Sequence, residues 1–152
     1  MALWQYNFQI LPADGAFKLY PGLSLPYDEN EDMFDEEPYW RSHIVSPELF
    51  EPIGKFLKKG KSWSDDILIF GQEDKSCLEI YHSNGVVFSV SFRLQFNQEY
   101  SQLLEAMIEF CSKNNMYLID QELTVLPYDI KLIVELIENS PQLKKYQELS
   151  EG

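Results

Sequence analysis

Histidine, cysteine and cationic residues are scarce in this chain, and each shortage removes a class of chemistry. His43 and His82 are the only imidazoles. Neither belongs to a nucleophile-elbow or H-E-x-x-H pattern, so hydrolytic triads and zinc hydrolysis have no support, and both histidines read as surface or turn residues. Cys77 and Cys111 sit in apolar or strand-like patterns without C-x-x-C spacing. They read as two reduced structural thiols rather than a disulfide or a metal site. The seven glycines are scattered as turn residues, with no phosphate-binding loop and no dinucleotide fingerprint. No catalytic residue, metal or cofactor is expected. No apolar run approaches a membrane span, and Met1-Ala2-Leu3-Trp4-Gln5-Tyr6 lacks the basic start of a secretory signal, so the expectation is a soluble, cytoplasmic protein with no membrane partner. Cations number 12 against 25 carboxylates, and the one basic cluster is Lys55, Lys58, Lys59 and Lys61. It reads as a helix C-terminus complementing its macrodipole, and direct nucleic-acid binding is not expected.

What the chain has in excess is negative charge, and that charge is concentrated. Asp28, Glu29, Glu31, Asp32, Asp35, Glu36 and Glu37 fall within ten residues, and no Lys or Arg lies between Lys18 and Arg41. This segment supplies about half of the net charge of −13. It lacks the regular oxygen spacing and glycine turn of a calcium loop, so Asp28, Glu31, Asp32 and Asp35 are not assigned to a metal. Two readings remain: a solvated charge run that confers solubility, or a recognition surface. In the second, Asp28, Glu31, Asp32, Asp35, Glu36 and Glu37 steer a basic partner while Phe34, Tyr39 and Trp40 anchor it.

The apolar fraction of 45% and the 152-residue length suit one globular domain over residues 1–152. Alternation over Trp4–Leu11 marks a strand, and residues 12–42 read as a long acidic loop, with a short strand near Ala16–Tyr20. Ser46-Pro47-Glu48 starts a helix interrupted by Pro52 and ended by Gly60. Ile67–Phe70 is apolar on both faces, as a central strand would be. The next two strands form a hairpin. A two-residue Asn84-Gly85 loop alone would set Leu78 and Ile80 against serines, so a three-residue Ser83-Asn84-Gly85 loop is predicted, pairing Leu78 with Val90 and Ile80 with Phe88. Asn97 caps a helix whose buried face is Tyr100, Leu103, Leu104, Met107, Ile108 and Cys111. Strand character returns over Met116–Asp120 and Glu122–Leu126, with an interruption at Asp120-Gln121. A helix over about Tyr128–Asn139 follows, and Ser140-Pro141 opens a short terminal helix. The order is β, long loop, α, β, β, β, α, β, α. This predicts an α+β fold with helices on one face of a mainly antiparallel sheet.

On that hairpin's polar face, Glu79 and Tyr81 would lie beside Ser89, Ser91 and Arg93, a second candidate surface. Arg93 interrupts an apolar strand, so it needs a carboxylate or a partner. Trp63-Ser64, the strand ending Phe70-Gly71, Leu78-Glu79-Ile80 before Asn84-Gly85, and Val86–Phe96 carrying Arg93 together resemble small bacterial immunity-type proteins of polymorphic toxin systems and related uncharacterised neighbours. The resemblance covers residues 63–96. It implies a single non-enzymatic, cytosolic α+β domain that neutralises a toxin by covering its active site, and many such toxins are nucleases with basic clefts. The resulting expectation is an immunity or inhibitor protein whose acidic-aromatic segment binds a basic toxin or nuclease. The alternative is a structural or regulatory adaptor without a toxin partner, for which a homodimer is one form. An enzyme would have to use Glu79 beside Arg93 as its acid or base.

Overall fold

The computed structural model describes residues 5–27, 29–30, 34–72, 75–96 and 99–151, without the side chains of 150 and 151. Five strands form one antiparallel sheet: β1 (Gln5–Pro12), β2 (Ile67–Gly71), β3 (Cys77–Ser83), β4 (Val86–Gln95) and β5 (Met116–Ile119), in the order β2-β3-β4-β1-β5. The α+β class is therefore as read. Trp4, expected to open β1, lies outside the described residues. Alternation does what it predicts: Tyr6, Phe8 and Ile10 turn to the core, and Tyr6 and Phe8 face Leu94 and Phe92 of β4.

The helical elements are α1 (Glu37–Ser42), a 3-10 helix (Pro47–Lys55), α2 (Ser101–Lys113), α3 (Ile130–Glu138) and α4 (Pro141–Glu151). Apolar contacts tie them to the core face of the sheet: Phe50 of the 3-10 helix meets Phe110 of α2 at 5.6 Å, and Phe96 beyond β4 meets Tyr146 of α4 at 5.9 Å. Helix α2 buries Leu104, Met107, Ile108 and Cys111 as the spacing indicates, with Phe110 added. Asn97, its expected cap, lies outside the described residues. Asp129 caps α3 by accepting from the Leu132 amide at 3.2 Å, and Ser140 caps α4 by accepting from the Leu143 amide at 3.2 Å. No described helix is long and apolar enough to cross a membrane.

Four expectations are corrected. The stretch 12–42 is not all loop: Pro38 in the first turn lets α1 form. The described part of that stretch has no strand at Ala16–Tyr20. Its ladder contact comes later, where the Gly22 amide donates to Val125 O and the Leu25 amide to Leu123 O, each at 2.8 Å. Second, Ser46 does cap the next helix through the Glu48 amide, but Pro52 has no amide to give and its ring opposes α-helical packing, so the segment winds as a 3-10 helix and stops at Lys55. Lys58, Lys59 and Lys61 therefore do not belong to a helix C-terminus. They lie in an extended run along β2, where the Gly60 amide donates to Ile69 O at 2.8 Å and the Gly71 amide to Lys58 O at 2.7 Å. Third, β2 is consequently an edge strand of the sheet with a covered edge, not a central strand.

The fourth correction concerns the hairpin. Asn84 (φ 53°) and Gly85 (φ 76°) make the two-residue turn that requires positive φ at both positions. A bulge then restores the face matching: Tyr81 pairs with Ser89 while His82 pairs with Val87, which leaves Phe88 as the extra residue. Leu78 comes opposite Phe92 and Ile80 opposite Val90. Val87 is buried and Phe88 is turned out, 43% exposed. The demand that apolar residues face apolar residues was met, but by a bulge rather than a longer loop.

Candidate partner-binding surface

Two stretches of polar chemistry converge on β4. The first is the acidic segment. Asp28, Glu31 and Asp32 lie outside the described residues. Glu29, Asp35 and Glu37 are exposed. Asp35 accepts from the Glu37 amide at 3.1 Å at the start of α1, and Glu37 pairs with Arg41 one turn on at 3.6 Å, with both side chains largely in solvent. The aromatics do not serve as expected. Tyr39 and Trp40 are core residues, 7% and 1% exposed, and Phe34 is half-buried against the same core. Tyr39 and Trp40 are thus spent on anchoring the segment to its own fold, while Phe34 keeps part of its ring in solvent. Phe17 and Phe34 flank Tyr39, with ring centroids 4.5 and 5.7 Å away. Phe17 is 40% exposed, so the outward apolar contact near α1 comes from the preceding loop.

Glu36 is also turned inward. Its carboxylate accepts from Trp40 Nε1 at 3.2 Å and lies near the Ser89 hydroxyl and the Val90 amide. Burial pushes its carboxyl above the usual range, with these polar neighbours opposing the rise. It is a fixing residue rather than a steering one. Its nearness to Ser89 brings the acidic segment beside the second candidate surface, an approach the sequence gives no sign of.

That second surface is built from the side of the sheet opposite Phe8 and Phe92. Register sets its side chains in rungs: Cys77, Arg93 and Asn7 lie across β3, β4 and β1, followed by Glu79, Ser91 and Gln9, then Tyr81 and Ser89. Arg93 forms an ion pair with Glu79, with side chains 22% and 9% exposed, and the Tyr81 hydroxyl donates to the other Glu79 oxygen at 3.0 Å. The carboxylate expected from the isolated arginine is thus present. Arg93 Nε, Asn7 Oδ1 and Gln9 Oε1 are buried and have no hydrogen-bond partner. Such an atom costs about 1–3 kcal/mol, which marks this patch as polar beyond what the fold itself uses. Tyr81 and the displaced Phe88 stand beside each other at 6.3 Å, forming an aromatic ledge at the end of the patch.

Asn7 and Gln9 were missed as site residues. Their alternation was visible in the sequence, but only the insertion of β1 beside β4 places them next to Arg93 and Ser91. The cysteines and histidines lie elsewhere in the fold. Cys77 and Cys111 are buried and form no disulfide, and burial raises the Cys111 thiol to about 12. The His82 amide donates to Asp66 O at 2.9 Å beside the hairpin turn, and His43 is the C-cap of α1. Among the described residues no three His, Cys, Asp or Glu side chains are grouped to hold a metal. In comparisons with known proteins, no family model, no curated protein and no solved structure matches this chain.

Proposed function

We propose that this chain is a non-enzymatic binding protein, of the immunity or inhibitor kind, that covers a basic surface of a toxin or nuclease. The observation that supports this most is the way the acidic segment is held. Phe34, Tyr39 and Trp40 fix its end in the core while Asp35 and Glu37 remain in solvent. A charged surface held in place loses less freedom on binding than a mobile one, and its field speeds encounter with a basic cleft. The aromatic ledge of Tyr81 and Phe88 lies at the end of the adjoining polar patch, and Phe88, 43% exposed, gives the partner an apolar contact once the carboxylates have steered it.

The test separates steering from folding by leaving Glu36 alone. The intact chain and a Glu29→Gln, Asp35→Asn, Glu37→Gln variant are each used to capture proteins from the native cell lysate at low and high salt, and the captured partner is then purified for rate measurements. The expected result is a basic partner whose association slows as salt rises, and slows further with the variant. An identical partner bound at the same rate by both would overturn the acidic-surface mechanism.

The adaptor reading draws on Tyr128, Leu132 and Leu149, which are 41%, 45% and 60% exposed on or beside the C-terminal helices. It expects a stable oligomer in sedimentation that the acidic-segment variant leaves intact.

A further inference from the structure

A further polar site, rich in cations, lies beside the edge strand β2. A cleft of about 720 Å³ opens beside β2, and Lys58, Lys59, Lys61 and Lys75 line it, four of the chain's 12 cations, with Glu99 as the lining carboxylate. Its volume lies in the roughly 300–1,000 Å³ range of small-molecule pockets. Leu57, Ile69 and Leu103 give it an apolar floor, and the rim carries Trp63, 71% exposed.

The lysines converge because of two glycines. A Cβ on Gly60 would lie 2.2 Å from Gly71 O, and one on Gly71, at φ +87°, would lie 2.3 Å from Ser76 O. Only with both side chains absent can the Lys58–Lys61 run close on β2, and β2 on Ser76 beside Lys75. Lys75 and Ser76 are held in their own right: Gln5 Nε2 donates to Lys75 O at 3.1 Å, and Ser76 Oγ accepts from the Gln95 amide at 2.9 Å. Lys59 shares a 3.5 Å exposed contact with Glu51, whereas Lys58, Lys61 and Lys75 form no ion pair among the described residues. Glu73 and Asp74 precede Lys75 and lie outside those residues. In a chain of net charge −13, this concentration of cations on a fixed backbone runs against the overall field.

We infer that this cleft binds a small phosphorylated ligand with a planar ring, a nucleotide in chemical class. Lys58, Lys61 and Lys75 meet the phosphates as point charges, and Trp63 offers an indole face to the ring. An acidic peptide fits less well, since the β2 edge it would extend is already taken by the Lys58–Gly60 run.

The experiment titrates the full-length protein at low ionic strength by calorimetry with ATP, inorganic tripolyphosphate, adenosine, a short oligoglutamate and a short single-stranded oligonucleotide. ATP should bind tightest. Tripolyphosphate should be about tenfold weaker through loss of stacking, and adenosine should be undetectable. Lys58→Ala/Lys61→Ala/Lys75→Ala, three exposed positions, should weaken ATP at least about tenfold while leaving the thermal midpoint in place. Trp63→Ala should weaken ATP but not tripolyphosphate. No ATP binding at millimolar concentration, or ATP binding indifferent to the lysine variant, would overturn the site. Equal affinity for ATP and tripolyphosphate would overturn the ring assignment, and tighter binding of oligoglutamate or oligonucleotide would overturn the ligand class.

Discussion

Two Glu–Arg pairs in this molecule have the same chemistry and opposite consequences. Glu37 and Arg41 sit one turn apart on α1 with side chains 62% and 69% exposed, whereas Glu79 and Arg93 sit on neighbouring strands at 9% and 22%. In the first pair water competes for both ions, and the attraction is worth a few tenths of a kcal/mol. In the second, each ion has lost most of its hydration, so each depends on the other and on Tyr81. An ion pair's weight is set by what would be left behind if one member were removed. The exposed pair is therefore free to serve recognition, while the inner pair is a condition of the fold around the polar patch.

Removing one member of the inner pair tests this most strongly. Arg93→Met should lower stability by roughly 3–5 kcal/mol in urea denaturation, because Glu79 would remain buried without its cation. The double change Glu79→Met/Arg93→Met should recover most of that loss, since it leaves no orphaned ion. If the double variant is as unstable as the single one, the cost lies in packing and the contrast between the pairs fails.

Glu36 stands between the two cases, and pH distinguishes it. Burial raises its carboxyl, so the folded protein holds that proton more tightly than the unfolded chain does. That contribution favours the folded state below the ordinary carboxylate range and is lost as pH rises through the raised value. Relative to Glu36→Gln, the parent chain should therefore lose stability as pH rises above the ordinary carboxylate range, read from paired denaturation curves. A difference that is flat with pH would mean that burial does not hold the Glu36 proton. The smallest effect belongs to Arg41→Met, which should move stability by no more than about 0.5 kcal/mol. A larger loss would show that α1 depends on its surface pair.

The inner pair was partly legible before the fold was known, because an arginine in an apolar strand calls for a carboxylate. Local patterns carried well wherever a single period governed, as in β1 and α2. They failed where a distant segment decided the outcome. Ile67–Phe70 looks central from its composition, but the Lys58–Gly60 run covers its edge. The lysines look like a helix end, yet Pro52 and the Gly60–Gly71 approach place them in extended chain. Tyr39 and Trp40 resemble interface anchors because large aromatics are favoured both in interfaces and in cores, and nothing local separates the two uses. Pro38 was the one overlooked local sign, since a proline in a first turn announces α1.

The placement of β1 has a consequence for the order in which the protein can assemble. Gln5 pairs with Gln95 and Gln9 with Ile119, so this strand is synthesised before either of its neighbours and must wait for both. During translation it has no ladder to join until β4 emerges, and it then presents a bare edge until β5 follows. Folding that depends on such distant pairings is slow, and an unfinished edge invites pairing with another nascent chain. Covering β1 from both sides makes the finished sheet secure, and it also makes the interval before β5 appears the time at which a ribosome-bound chain is most exposed to misassembly.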